Sequence, residues 1–426
     1  MGMRTTALRL YGAGDLRLET FELPPIGEDE ILIKIISDSL CMSSYKAASQ
    51  GTAHKRVPKD AGTHPIVVGH EFSAEVLEVG AKWADRYHPG QRASLQPTLV
   101  GTYDAAGYSF QFLGGDMTYA IMPARYIQEG NLLPFEGEAF FHGSLAEPLS
   151  CVIGATHACY HTVHGDYNHR MDIKAGGRIA ALAATGPMGL AQIDYLMHRD
   201  RRPSMMVVTD IDPARLARAE QVLSVDEAAR NGITLTYVNT KDVPDPAAYL
   251  RGLTGGEGYD DVFVFAPVAS VVEQADAILA YDGCLNFFAG PTDTAFSAKY
   301  NFYNVHYNAT HVVGTSGGNT DDMREALDIA SRGLINPALL VTHVGGLNAA
   351  REATLHLPQI PGGKKLIYNH IELPLTAISD FAELGKKDPL FAKLDELCEA
   401  AGGLWNLDAE RYLLGNAPPL NADQNA

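Results

Sequence analysis

From Arg178 onward the chain sets strand-like apolar runs (178–183, 205–209, 261–266, 284–289) against helix-like stretches (188–198, 213–223, 270–280) in regular alternation. Strands separated by whole helices cannot pair as hairpins. They are joined by crossovers, which predicts βαβ units and a parallel sheet covered on both faces. A further strand-like stretch, 311–315, precedes a helical one, 321–332. Residues 1–150 read differently: short β-like runs such as 31–36 and 72–79, broken by Gly and Pro, predict an irregular, largely β domain. Near the end, 379–401 reads as helical and the last dozen residues, with Pro418, Pro419 and Gln424, read as loose. The fold class expected is α/β.

At 426 residues the chain has room for about two or three domains of roughly 150 residues. Lys plus Arg number 33 against 51 Asp plus Glu, a formal charge of -18. Such a surface repels phosphate backbones and anionic headgroups, so neither nucleic acid nor membrane is expected as a partner. No apolar run approaches the roughly 20 residues that span a bilayer, and the start lacks a charged-then-apolar secretion pattern, so a cytoplasmic location is expected. The five cysteines (Cys41, Cys151, Cys159, Cys284 and Cys398) are widely separated, without a CxxC pair. Neither a disulfide scaffold nor a four-cysteine zinc site is indicated, and a cysteine that does chemistry is expected to act singly.

The strongest local signal is Ala-Ala-Thr-Gly-Pro-Met-Gly, 183–189, joining a predicted strand to a predicted helix. Gly186, Pro187, Met188 and Gly189 would form the turn: Gly186 admits a pyrophosphate to the backbone, Gly189 lets helix and strand pack closely, and the helix N-terminus offers unpaired N–H donors. Ala184 stands where the first glycine of the GxGxxG fingerprint usually sits, and ordinary turn chemistry would explain the segment as well. Asp210 ends the next strand about 20 residues on, where a carboxylate accepts hydrogen bonds from an adenosine ribose and repels a 2′-phosphate, favouring NAD over NADP. Asp212 ahead of Pro213 reads as the cap of the following helix, leaving Asp210 for the ribose.

In the N-terminal part Cys41 is followed by Gly69-His70-Glu71 and much later by Glu147. A thiolate, an imidazole and a carboxylate are all zinc ligands, and three of them with an open fourth position are what a catalytic zinc needs. Singly, each of these residues is more often structural. His157, His161, His164 and His169 read as structural or solvent-facing rather than as a second metal site.

Taken in order, Cys41-Met42-Ser43-Ser44, Gly69-His70-Glu71, Pro89-Gly90-Gln91-Arg92, Glu147-Pro148-Leu149, Gly186-Pro187-Met188-Gly189 and Val207-Val208-Thr209-Asp210 resemble the zinc-dependent medium-chain dehydrogenases. The likeness is to their sorbitol and sugar-alcohol branch, and within it to the L-sorbose 1-phosphate reductases. It runs from about Thr5 to Tyr368.

The resemblance implies a GroES-like catalytic domain (1–153 and 302–426, with a helical C-terminal tail) around an inserted Rossmann NAD-binding domain (154–301). It puts Cys41, His70 and Glu147 on one catalytic zinc, with Glu71 as a nearby carboxylate and Ser43 as the hydroxyl serving the substrate alcohol. Arg215 would lie by the ribose, and Ala266, Phe288 and Ser316 along the nicotinamide half. The activity implied is hydride transfer between NAD(H) and a secondary alcohol or ketone of a sugar or sugar phosphate, namely L-sorbose 1-phosphate reduction to glucitol 6-phosphate, by a dimer or tetramer. A dehydrogenase of an unphosphorylated polyol, a zinc-free reductase and a non-catalytic coenzyme-binding protein stand as alternatives.

Three departures from the family pattern matter. Ser44 replaces the usual aspartate behind the histidine ligand, leaving the partner of His70 unassigned. Lys46 takes the place of a proton-relay histidine. The lobe around 96–111 has none of the four cysteines of a structural zinc, which is therefore not expected. A phosphorylated substrate would draw on Lys46, Lys55 and Arg56, which sit in or just after the ligand loop; the plain reading of Lys55 and Arg56 is a solvated loop face.

Overall fold

The computed structural model describes residues 3–421. The chain forms two compact units, one of 1–147, 323–333 and 340–426, the other of 148–322 and 334–339.

The second unit holds a six-stranded sheet in the order Thr234–Asn239, Met205–Asp210, Arg178–Leu182, Tyr259–Val264, Leu279–Phe287, His311–Val313. Every neighbouring pair is parallel. This is the doubly wound order, with the chain reversing direction across the sheet at Arg178–Leu182. Central strands are buried along their length, as at Ile179 to Leu182 and Val262 to Val264, because helices cover both faces. Helices Pro187–His198, Pro213–Val222 and Ala269–Ala277 fall where the apolar rhythm places them. Asp212 caps Pro213–Val222 as expected, accepting from the N–H groups of Ala214 and Arg215. The edge strand Thr234–Asn239 is missed by the sequence reading. Only Leu235 and Val238 are buried in it, so its apolar signal is diluted.

The first unit is β-rich. An eight-stranded mixed sheet runs Thr376–Ala377, Val341–Gly346, Lys364–Tyr368, Ile31–Ser39, Phe72–Val79, Arg92–Leu95, Leu132–Pro134, with Tyr119–Met122 also paired to Ile31–Ser39. A three-stranded sheet, Asp15–Glu22, Arg4–Gly12 and Ile66–Val67, packs its Leu8, Leu10 and Leu16 with Val68, Ala47 and Ile367 in one apolar cluster. The strand Lys364–Tyr368 comes from late in the chain and pairs antiparallel with Ile31–Ser39, so residues far apart in sequence meet beside Cys41.

The C-terminal segment corrects one expectation. Helices Phe381–Leu384 and Pro389–Glu399 lie where predicted, but the residues after them are not loose. Leu407–Asn416 is a helix, Leu420 donates its N–H to the His370 carbonyl, and Pro418 accepts from Glu372. Gln424 lies outside the described residues. Glu410, fully buried on that helix, accepts from the N–H groups of Phe140 and Phe141 at 2.7 and 2.9 Å and from the Tyr368 hydroxyl at 2.8 Å. These two N–H groups begin the helix Phe140–Ala158 that carries Glu147, so the tail supplies its N-terminal cap. Sequence proximity cannot reveal a cap from so distant a segment. Glu410→Ala strands these donors and should lower unfolding free energy by about 2 kcal/mol, read as a lower urea midpoint.

Candidate metal and coenzyme sites

Cys41 closes the strand Ile31–Ser39 and opens the helix Met42–Gln50, whose first turn carries Ser43 and Ser44. Opposite it, Gly69 adopts φ +88, and a Cβ there would sit 2.6 Å from the Asp116 nitrogen. Only glycine lets the chain turn so tightly just before His70. The Ser39 N–H donates to the Glu71 carbonyl at 2.9 Å and the Leu40 N–H to the Lys365 carbonyl at 2.9 Å. Those two bonds carry Glu71 and Lys364 alongside Cys41.

The Cys41 sulfur, a His70 ring nitrogen and a Glu71 carboxylate oxygen lie within 4.8 Å of one another. Ser43 Oγ donates to Cys41 Sγ at 3.0 Å and lies 3.3 Å from His70 Nε2, which the Tyr108 hydroxyl also approaches to 3.3 Å. His70 Nδ1 meets Ser44 Oγ at 3.2 Å. Ser44 is thus the partner of His70 that sequence left unassigned: with Nδ1 occupied by a hydroxyl, Nε2 is the nitrogen turned toward Cys41 and Ser43.

Glu71 is clamped by Lys364, whose Nζ stands 2.5 and 2.6 Å from its two oxygens with both side chains buried. Glu147 shares the electrostatic neighbourhood of His70, Glu71, Cys41 and Lys364, but is not part of the tight trio.

Burial drives Cys41, His70 and Glu147 toward neutrality. It raises the Cys41 thiol, with the Glu71 carboxylate adding to the effect. It holds His70 below its usual range and pushes the Glu147 carboxyl up to about 7. A soft sulfur, an imidazole nitrogen and one or two carboxylates fit a zinc ion: the donor set is right for it and the cation would compensate their burial.

Tyr108 and Lys364 are absent from the sequence reading. Gly107, at φ +77, makes room for Tyr108, since a Cβ there would meet the Gly69 carbonyl oxygen at 2.1 Å. The Tyr108 ring is stacked against His54 at 5.7 Å and lies under the Arg56 guanidinium at 5.3 Å. Lys55 lies over Tyr103. Lys46, Lys55 and Arg56 all depress the His54 titration, which burial lowers most, so the three cations gather around that ring.

In the second unit the turn after Arg178–Leu182 has the expected close packing, for a Cβ on Gly189 would lie 2.0 Å from the Ala184 carbonyl oxygen. Around Gly186 there is open space. The left-handed residue is Ala183, at φ 54, ahead of the Ala184 that takes the first glycine's place. Asp210 does not cap the helix Pro213–Val222, and its carboxylate accepts from the Thr185 hydroxyl and from the N–H groups of Ile211 and Asp212. Its carboxylate is thereby fixed at the end of its strand. Arg215 lies exposed in the first turn of the next helix, 3.8 Å from Asp212. Ala266, Phe288 and Ser316 follow their strands at the same carboxyl edge of the sheet, where doubly wound folds take their ligands.

The comparisons agree with this geometry. Residues 27–131 match the alcohol dehydrogenase GroES-like domain and 187–332 the zinc-binding dehydrogenase domain. The chain is 51% identical to a mannitol-1-phosphate 5-dehydrogenase of Aliivibrio fischeri, over 96% of this chain and 97% of that one. It is 47% identical to an L-sorbose 1-phosphate reductase of Klebsiella pneumoniae, over 98% and 99%. A 2R,3R-butanediol dehydrogenase from Bacillus subtilis shares the fold, with TM-score 0.68 and 22% identity over 85% of this chain and 99% of that one. The chain belongs to the zinc-dependent medium-chain dehydrogenase family. It is an oxidoreductase of the alcohol and polyol dehydrogenase type. No helix among the described residues is long and apolar enough to cross a membrane.

Proposed function

We propose that this dehydrogenase interconverts a ketose phosphate and its hexitol phosphate with zinc and NAD(H), acting as an L-sorbose 1-phosphate reductase that forms glucitol 6-phosphate. The observation that carries the reading is the Cys41–His70–Glu71 cluster with the Ser43 hydroxyl between sulfur and imidazole. Cys41, His70 and Glu147, or Glu71 in its place, would hold the metal. Bound there, zinc supplies Lewis-acid polarisation of an alcohol or carbonyl oxygen. NAD, held by 186–189 and Asp210, supplies the hydride carrier.

The chain's own groups do the rest. Ser44 fixes the ring of His70, and Lys364 fixes the carboxylate of Glu71. Ser43 Oγ holds the proton to be exchanged with substrate, and Lys46, one helical turn on, carries it toward water. Asp210 disfavours a 2′-phosphorylated coenzyme. The assembly is a dimer or tetramer of identical chains.

The cations around His54 support a phosphorylated substrate, as do the names of two relatives, both of which include a phosphorylated six-carbon compound. Measuring kcat/KM for a ketose and its 1-phosphate tests this. Wild type should favour the phosphate, and Arg56→Met combined with Lys46→Met should erase about 10- to 100-fold of that preference, about 1.4–2.7 kcal/mol. Equal rates on both substrates in wild type would favour an unphosphorylated polyol instead.

A further inference from the structure

The second unit contains another buried constellation, in which two of the cysteines meet. Cys159, just past the helix Phe140–Ala158, and Cys284 on the strand Leu279–Phe287 meet beside Asp261 of the neighbouring strand Tyr259–Val264. One sulfur from each cysteine and an Asp261 oxygen lie within 4.8 Å of one another, and all three residues have no exposed surface. Cys284 and Asn286 share a face of their strand. The Asn286 amide nitrogen lies 3.6 Å from Cys159 Sγ, while its amide oxygen, also buried, has no hydrogen-bond partner.

The surroundings resemble those of a ligand set already held in place. Asp261 accepts from the Lys174 N–H at 3.0 Å and meets His161 Nε2 at 3.2 Å, which orients the carboxylate while leaving it acceptor capacity. The other nitrogen of His161 faces the carbonyl and carboxylate oxygens of Asp282 at 3.1 and 3.2 Å. His311 places Nδ1 3.0 Å from the Ala309 carbonyl oxygen and Nε2 2.6 Å from that of Tyr160. Both rings face acceptor oxygens on both sides, so the donors left for an ion are the two sulfurs, the Asp261 carboxylate and the Asn286 amide oxygen.

We propose that Cys159, Cys284 and Asp261 form a second metal site, independent of Cys41 and His70, for a borderline divalent cation of the zinc type that favours thiolates. Asn286 Oδ1 or a water completes its coordination. On binding, the Cys159 proton, which points at the Ala155 carbonyl oxygen, leaves to solvent together with any proton Cys284 still carries. The cation ties the end of the helix Phe140–Ala158 to two sheet strands.

The test removes the first site and asks what remains. Cys41→Ala/His70→Ala protein, dialysed after growth with zinc, should retain about one equivalent of metal per chain. With cobalt(II) it should show a thiolate charge-transfer band. Adding Cys159→Ser and Cys284→Ser, or Asp261→Asn if that variant does not fold, should abolish both. The proposal is overturned if the Cys41→Ala/His70→Ala protein holds no metal and its remaining thiols titrate freely, or if intact-mass analysis shows Cys159 and Cys284 joined by a disulfide. As a check without the first-site substitutions, wild type should release its metal to a chromogenic chelator in two phases, the slower one missing in Cys284→Ser. A single phase unchanged by that substitution also overturns it. Failure of the catalytic zinc reading would show separately, as wild-type turnover that survives loss of the faster phase.

Discussion

Cys41→Ala should lower turnover by about 10³-fold or more, at least about 4 kcal/mol of transition-state stabilisation, while NADH still binds. The sulfur is one of three donors gathered within 4.8 Å, and the Ser43 hydroxyl donates to it. On the proposed reading, its removal takes away a metal ligand and the anchor of the serine proton at once. The proposed coenzyme elements 186–189 and Asp210 belong to the other unit and keep their local bonds. Steady-state rates alongside NADH fluorescence titration separate the two effects. A variant that turns over within tenfold of wild type would refute the metal role, as would full activity after a strong chelator has stripped the protein of its metal.

Lys364→Met should destabilise the first unit by about 3–5 kcal/mol, the usual cost of leaving half of a buried ion pair. Glu71 is 1% exposed and has Cys41, Asp38 and Glu147 nearby, so its carboxylate has no route to water once the ammonium is gone. Burial alone would lower the Lys364 titration, and the Glu71 carboxylate leads the contributions that more than offset it. Urea denaturation measures the loss. Neutralising the orphan with Glu71→Gln in the same chain should recover more than half of it. A Lys364→Met protein within about 0.5 kcal/mol of wild type, the range of an inert surface change, would show that the pair does not hold the site together.

The parallel sheet was legible because its central strands are buried on both faces and read as continuous apolar runs, as at 205–209 and 261–266. The edge strand Thr234–Asn239, covered less completely, was not. The resemblance singles out Cys41, His70 and Glu147 as ligands with Glu71 nearby; the structure gathers Cys41 and His70 with Glu71, and Glu147 lies outside that trio. What stayed hidden depends on long-range pairing. Lys364 reaches Glu71 only because its strand lies against Ile31–Ser39, Tyr108 reaches His70 only past Gly107, and Cys159 meets Cys284 only when a helix end settles on a strand face. No local spacing encodes such meetings. Ser44 departs from the family pattern, and its hydroxyl contacts the ring nitrogen whose partner that departure leaves unassigned.

The Lys364–Glu71 pair also bears on how such a chain can be made and dissected. A nascent chain that has emerged only through the GroES-like region has synthesised the carboxylate but not its counter-ion, and must keep that segment open to water until the late strand arrives. The β-rich unit is therefore a poor subject for excision at residue 131 or anywhere short of Lys364, whereas the intervening sheet, with its strands drawn from one stretch of sequence, is the natural cassette for exchange between relatives.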